Sequence, residues 1–139
     1  MNAAKNTNCG ANILVVEDDD DIRNLLKLSL ELEGYKVFTA ENGQIALDIL
    51  LQIPKPCLIL LDLMMPVMNG WAFVEGLEKD VTLATIPVVI VSAFTELKKP
   101  IASKGFIKKP VDLDVLFQIV SNWCQAVNGP NAPEQEDVK

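Results

Sequence analysis

The chain has 139 residues, half of them hydrophobic, and a net charge of −7. That length supports one domain with a real core, since a chain of about 150 residues hides roughly 68–70% of its unfolded surface, and the apolar content excludes disorder throughout. The acidic balance and the lack of a basic amphipathic stretch argue against direct nucleic-acid binding, which needs clustered Lys and Arg; no apolar run approaches the ~20 residues of a membrane span, so a soluble protein is expected.

Residues 1–11 read as a loose polar leader with no signal peptide. Asn12 to Val16 is nearly all apolar, as a strand covered on both faces must be. Asp19 to Glu33 reads as a helix with a stripe of Ile22, Leu25, Leu26, Ser29, Leu30 and Leu32, stopped by Gly34. Tyr35 to Thr39 alternates and suits a second strand. Asn42-Gly43 reads as a turn, and Gln44 to Gln52 as a short helix stopped by Pro54 and Pro56. Leu58 to Leu61 is the third strand.

Leu63 to Gly70 reads as a loop, Trp71 to Lys79 as a helix, Pro87 to Val91 as the fourth strand and Gly105 to Ile107 as a short fifth. Asp112 caps a last helix running to about Val127, with Leu113, Leu116, Ile119, Val120 and Trp123 on one side. Residues 128–139 read as a disordered tail. The alternation of strand and helix, five times over, predicts a parallel sheet with helices on both faces and right-handed crossovers. There is no room for a second domain. The cysteines, Cys9, Cys57 and Cys124, lack metal-ligand spacing and no histidine exists to complete a zinc site. Reduced thiols in a cytoplasmic protein are expected. Lys98, Lys99, Lys104, Lys108 and Lys109 form a local basic excess; simple solvation accounts for Lys98, Lys99 and Lys104, but not for Lys109.

Four apolar runs end in residues able to work on a phosphoryl group. Ile13–Val16 leads into Glu17-Asp18, Leu58–Leu61 into Asp62, Pro87–Val91 into Ser92, and Phe106-Ile107 to Lys109-Pro110. In an open parallel sheet these ends meet at the edge where ligands bind. A helix N-terminus accounts for Asp19, Asp20 and Asp21. It does not account for Glu17 and Asp18 beside Asp62, because like charges that close repel unless a hard cation such as Mg²⁺ relieves them. Asp62, at the end of a buried strand, is placed to act as a nucleophile forming an acyl phosphate. Ala93 after Ser92 leaves space for a phosphoryl group, and a lysine before proline is held extended, so that Lys109 reaches the site.

The motifs Ile13–Asp18 (ILVVED), Leu58–Gly70 (LILLDLMMPVMNG), Ile86–Ala93 (IPVVIVSA) and Gly105–Pro110 (GFIKKP) together resemble the receiver domain of two-component signalling, the response-regulator module, over about residues 12–127. The resemblance implies a flavodoxin-like, doubly wound α/β fold with a five-stranded parallel sheet of order 2-1-3-4-5. It implies Asp62 as phosphoacceptor, and Mg²⁺ held by Asp18, Asp62, the backbone carbonyl of Met64 and, through water, Glu17. Ser92 would bind a phosphoryl oxygen and shift on phosphorylation. Lys109 would pair with the phosphoryl group, its bond to Pro110 cis, and Phe106 would be the switch aromatic, biased inward because it lacks a hydroxyl.

Two departures from the family pattern stand out. Only 17 positions separate Ser92 from Lys109, so the fourth helix must be very short, near Thr95–Lys99. Met64 and Phe94 place apolar side chains where the family tunes water attack on the phosphoryl group, which predicts a long-lived phosphoryl state. The implied function is a stand-alone cytoplasmic receiver, not an enzyme beyond its own phosphorylation and dephosphorylation. It would take a phosphoryl group from a histidine kinase or histidine phosphotransfer protein and act on a separate protein effector, without direct contact to nucleic acid or membrane. The alternatives are a Mg²⁺-dependent phosphohydrolase with Asp62 as nucleophile, and a degenerate receiver serving only as an interaction module.

Overall fold

The computed structural model describes residues 12–65, 67–93, 101 and 103–124. Five parallel strands, β1 (Asn12–Val16), β2 (Lys36–Ala40), β3 (Leu58–Leu61), β4 (Val88–Ser92) and β5 (Gly105–Lys108), form one sheet in the order β2-β1-β3-β4-β5. That is the expected 2-1-3-4-5 order of a flavodoxin-like fold. The helices are α1 (Asp20–Leu32), α2 (Gly43–Leu50), α3 (Gly70–Glu78) and α4 (Leu113–Trp123), with a 3-10 turn at Leu83–Thr85. The expected short helix near 95–99 lies outside the described residues, as do the leader, the tail and the last residues of the predicted terminal helix.

Alternate side chains of each central strand enter two separate cores, the period-2 consequence of a pleated strand. Ile13, Val15, Leu58, Leu60, Val89 and Val91 face Leu26 and Leu30 of α1 and Leu116 and Val120 of α4. Leu14, Val16, Ile59, Leu61, Val88 and Ile90 face Ala46 and Leu50 of α2 and Phe73, Val74 and Leu77 of α3. Helices therefore cover both faces, and β1, β3 and β4 are continuously buried.

The α1 stripe is narrower than expected. Leu26, Ser29 and Leu30 are buried, while Leu25 and Leu32 are exposed, Leu32 at 87%. At about 100° per residue these two fall on the outer shoulder of the helix. Trp123 is likewise exposed rather than in the core.

Helix starts are set by side-chain caps. Asp19 Oδ1 accepts from the Ile22 amide at 3.0 Å, Asn42 Oδ1 from Ile45 at 2.9 Å and Asn69 Oδ1 from Ala72 at 3.0 Å, while Asp112 Oδ1 accepts from Asp114 at 2.9 Å. Asn42-Gly43 is thus a helix start, not a free-standing turn, and Asn69-Gly70 likewise opens α3. Gly34 ends α1 with φ 98°, the left-handed stop that glycine adopts without strain.

Gly70 fixes the loop that follows β3. A Cβ there would stand 2.8 Å from the Leu63 backbone and 2.5 Å from its Cδ2. We expect Gly70→Ala to destabilise the fold by about 1–2 kcal/mol, read as a lower midpoint in urea, because main chain beside Asp62 must move.

Candidate functional site

Strand register gathers the predicted residues. Val16 stands opposite Leu61, Leu61 opposite Ile90 and Ser92 opposite Lys108, so the carboxyl ends of β1, β3, β4 and β5 terminate side by side. Backbone hydrogen bonds continue one step past the strands: the Asp62 amide donates to the Val16 carbonyl at 2.9 Å and the Lys109 amide to the Ser92 carbonyl at 2.9 Å. Glu17, Asp18, Asp62, Met64, Ser92, Ala93 and Lys109, with Asp19 and Ile22, line one open depression of about 290 Å³. The Lys109–Pro110 peptide is cis, as expected.

The electrostatics centre on Lys109. Its ammonium lies 2.9 Å from Glu17 Oε1 and 3.6 Å from Asp62 Oδ2. Glu17 is 1% exposed and Asp62 5%. The ammonium is thus the charged partner of the buried Glu17 Oε1. Glu17 Oε2 accepts from the Asp19 amide at 3.3 Å, and Asp62 Oδ1 from the Met64 amide at 3.3 Å.

Burial, then the neighbouring Glu17 charge, pushes the Asp62 carboxyl up to about 7, against the opposing pull of Lys109 and the Met64 amide. For Lys109, burial acts to lower the ammonium. Its hydrogen bond to Glu17 and the charges of Asp62 and Glu17 outweigh this and raise it.

Glu17, Asp18 and Asp62 each present a carboxylate oxygen, and these oxygens lie within 4.8 Å of one another. One ammonium does not neutralise three acids. An all-oxygen set with this unrelieved charge suits a small hard divalent cation. Asp18 is exposed, so its carboxylate meets the cluster from the solvent side.

Phe106 does not line the depression and is 37% exposed, so the expected inward bias is not what the structure shows. The β5 face it occupies is an edge strand's, and its inward-facing neighbour Ile107 takes the core position instead. Met64 lines the depression at 54% exposure, while Phe94 lies outside the described residues. Of the basic excess, Lys104 and Lys108 are exposed, Lys98 and Lys99 fall outside the described residues, and Lys109 is drawn into the site.

Sequence reading missed Arg23. Its Nη1 donates to the Glu17 carbonyl at 3.0 Å and the Asp18 carbonyl at 3.4 Å, and its Nη2 pairs with Asp20. The guanidinium thus ties the first turn of α1 back onto the acidic segment. Its position five residues after Asp18, inside a helix start, carries no distinctive signal.

Comparison with known proteins agrees with this geometry. Regulatory protein AtoC of Escherichia coli is 30% identical over 118 residues, 81% of this chain but 25% of that protein; the chain spans about a quarter of that relative. The signal receiver domain of a signal transduction histidine kinase from Syntrophus aciditrophicus superimposes with a TM-score of 0.71 at 33% identity, covering 81% of this chain and 88% of that one. The response regulator TrrA of Thermotoga maritima, crystallised in complex with Mg²⁺–BeF, gives 0.70 at 29% identity, covering 81% and 97%. The family model of the response regulator receiver domain matches residues 13–121, and with the sheet order and clustered acids described above it establishes that the chain belongs to the receiver-domain family of two-component response regulators.

Proposed function

We propose that Asp62 accepts a phosphoryl group from a phosphohistidine of a histidine kinase or histidine phosphotransfer protein, with Mg²⁺. The phosphorylated state then alters affinity for a separate protein effector in the cytoplasm. The observation that carries this reading is the convergence of charged groups from three strand ends. Glu17, Asp18 and Asp62 bring carboxylate oxygens within 4.8 Å of one another, and Lys109 stands 2.9 Å from Glu17 and 3.6 Å from Asp62. TrrA, crystallised with Mg²⁺ and a beryllofluoride group, supports reading the acid cluster as a cation site.

Glu17, Asp18, Asp62 and the Met64 carbonyl would hold the ion. When bound it supplies positive charge to offset the carboxylates and the incoming phosphoryl oxygens. Asp62 attacks phosphorus through a carboxylate oxygen. The O–P bond forms as the P–N bond to the donor imidazole breaks, and the electron pair returns to the imidazole nitrogen. Lys109, held between Glu17 and Asp62, needs only a short swing to pair with a phosphoryl oxygen, and Ser92 offers its hydroxyl to another. Ala93 keeps the space between them open. Arg23 fixes the backbone of Glu17 and Asp18, so Arg23→Ala should weaken Mg²⁺ binding by about tenfold or more while leaving the fold intact, read by titration calorimetry and circular dichroism.

The phosphohydrolase alternative gains nothing from the geometry. Asp19 is the one further acid lining the depression among the described residues, and it is engaged in capping α1. The position two residues past Asp62 is Met64. That apolar side chain beside the phosphoryl position disfavours an ordered attacking water, so we expect the phosphorylated protein to persist well beyond seconds with Mg²⁺ present. Met64→Asn should shorten that lifetime.

The test of the function is incubation with acetyl phosphate and Mg²⁺, followed by intact mass. The wild type should gain one phosphoryl group only when Mg²⁺ is present, and Asp62→Asn should gain none. Uptake that is independent of both Mg²⁺ and Asp62 would refute the reading.

A further inference from the structure

The fold brings two cysteines together that the phosphoryl chemistry does not use. Cys57 precedes β3 and Cys124 follows α4, 67 residues apart, and the structure joins them as a disulfide. This overturns the expectation of reduced thiols, and it places the bond at the amino end of β3, away from the Asp62 end.

Backbone hydrogen bonds help to position both cysteines. The Cys57 amide donates to the Asn12 carbonyl at 2.9 Å, and the Asn12 side chain donates to the Pro54 carbonyl at 3.3 Å. The Cys124 amide donates to the Val120 carbonyl at 2.8 Å. These bonds set the Cα atoms 5.7 Å apart, inside the range of about 4.4–6.8 Å that a disulfide needs.

The reduced state is accommodated as well. Cys57 Sγ lies 3.2 Å from the Asn12 carbonyl oxygen, which is ready to accept from a thiol. Cys124 is buried against Val120 and Leu116, surroundings that suit a neutral S–H. Cys57 is only half-buried and gives an external thiolate a line of attack, whereas Cys124 is buried.

We propose that Cys57 and Cys124 form a reversible thiol–disulfide exchange site that takes electrons from a dithiol reductant and thereby releases the carboxyl end of α4 from β3. One thiolate of the reductant attacks Cys57 Sγ, forming a mixed disulfide as the bond to Cys124 breaks; Cys124 leaves as a thiolate and takes a proton. The second thiol of the reductant then attacks its own half of the mixed disulfide. Cys57 is released and takes a proton, and the reductant departs as its disulfide. Two electrons and two protons are transferred. A disulfide oxidant runs the sequence backwards.

The test uses full-length Cys9→Ser protein, which retains only this pair. It is equilibrated in graded mixtures of reduced and oxidised dithiothreitol without denaturant, and free thiols are counted by alkylation and mass. The expected result is a single step in which both thiols appear together, with amide exchange at Val120–Trp123 faster by about tenfold in the reduced protein. The proposal is overturned if no bond forms at any mixture, if the bond yields to reductant only after unfolding, or if reduction leaves exchange at α4 unchanged.

Discussion

At pH 8 without divalent cation, Asp62→Asn should be more stable than the wild type by about 1–2 kcal/mol; saturating Mg²⁺ should reverse the order. The carboxyl is pushed from 3.8 to about 7 in the folded protein. Ionised Asp62 therefore costs stability, and the cost grows as pH rises from 3.8 through about 7. It is fully present above that range and absent below it. A tenfold change in proton affinity between the folded and unfolded chain is worth about 1.4 kcal/mol; the depression opens to solvent and Lys109 lies close by, so a discounted figure applies. Asn cannot ionise, so the variant should escape the cost at pH 8 and show no advantage below about pH 4. Mg²⁺ at a hundred times its dissociation constant would stabilise the wild type by about 2.7 kcal/mol and the variant far less. Urea midpoints at pH 4 and pH 8, with and without Mg²⁺, test all four combinations. A variant no more stable than wild type at pH 8 in chelator would show that Glu17 and burial do not strain this carboxyl.

Breaking the link between Cys57 and Cys124 should cost about 2–4 kcal/mol. The bond closes a 67-residue span containing β3, α3, β4, β5 and α4, and a closed span of that size removes much freedom from the unfolded chain. Cys57→Ser and Cys124→Ser should each lower the thermal midpoint of oxidised protein by several degrees. Neither should lose stability further on addition of dithiothreitol, whereas the wild type should fall to their level. A wild type insensitive to dithiothreitol under conditions that liberate both thiols would contradict this.

The sheet was readable because β1, β3 and β4 are buried on both faces, which forces short unbroken apolar runs. The strand ends then indicated the site, since parallel pairing puts Glu17, Asp62, Ser92 and Lys109 at one edge whatever the loops do. What one-dimensional reading did not supply is everything that depends on distance through space. The pairing of Lys109 with Glu17 at 2.9 Å is one such case: spacing suggested an ammonium aimed at a phosphoryl group, and the structure shows it shared first between two acids. Arg23 is another, because a guanidinium returning to the carbonyls of Glu17 and Asp18 has no sequence signature. The Cys57–Cys124 link joins residues 67 apart with a third cysteine in the chain, so spacing could not select it. Local chemistry with two outlets also misled. Asn-Gly favours a tight turn, yet the same Asn oxygen caps a helix when an apolar stripe follows, as at Asn42 and Asn69. The inward bias assigned to Phe106 rested on polarity alone. Position on an edge strand decided otherwise.

The most direct measurement is chemical mapping of the acceptor. Protein treated with acetyl phosphate and Mg²⁺ is reduced with borohydride, which converts an acyl phosphate to an alcohol, then digested and sequenced by mass spectrometry. Homoserine at position 62, and at no other aspartate, is the predicted result. Conversion at Asp18 or another acid, with residue 62 left as aspartate, would contradict the placement of the phosphoryl group on this strand end.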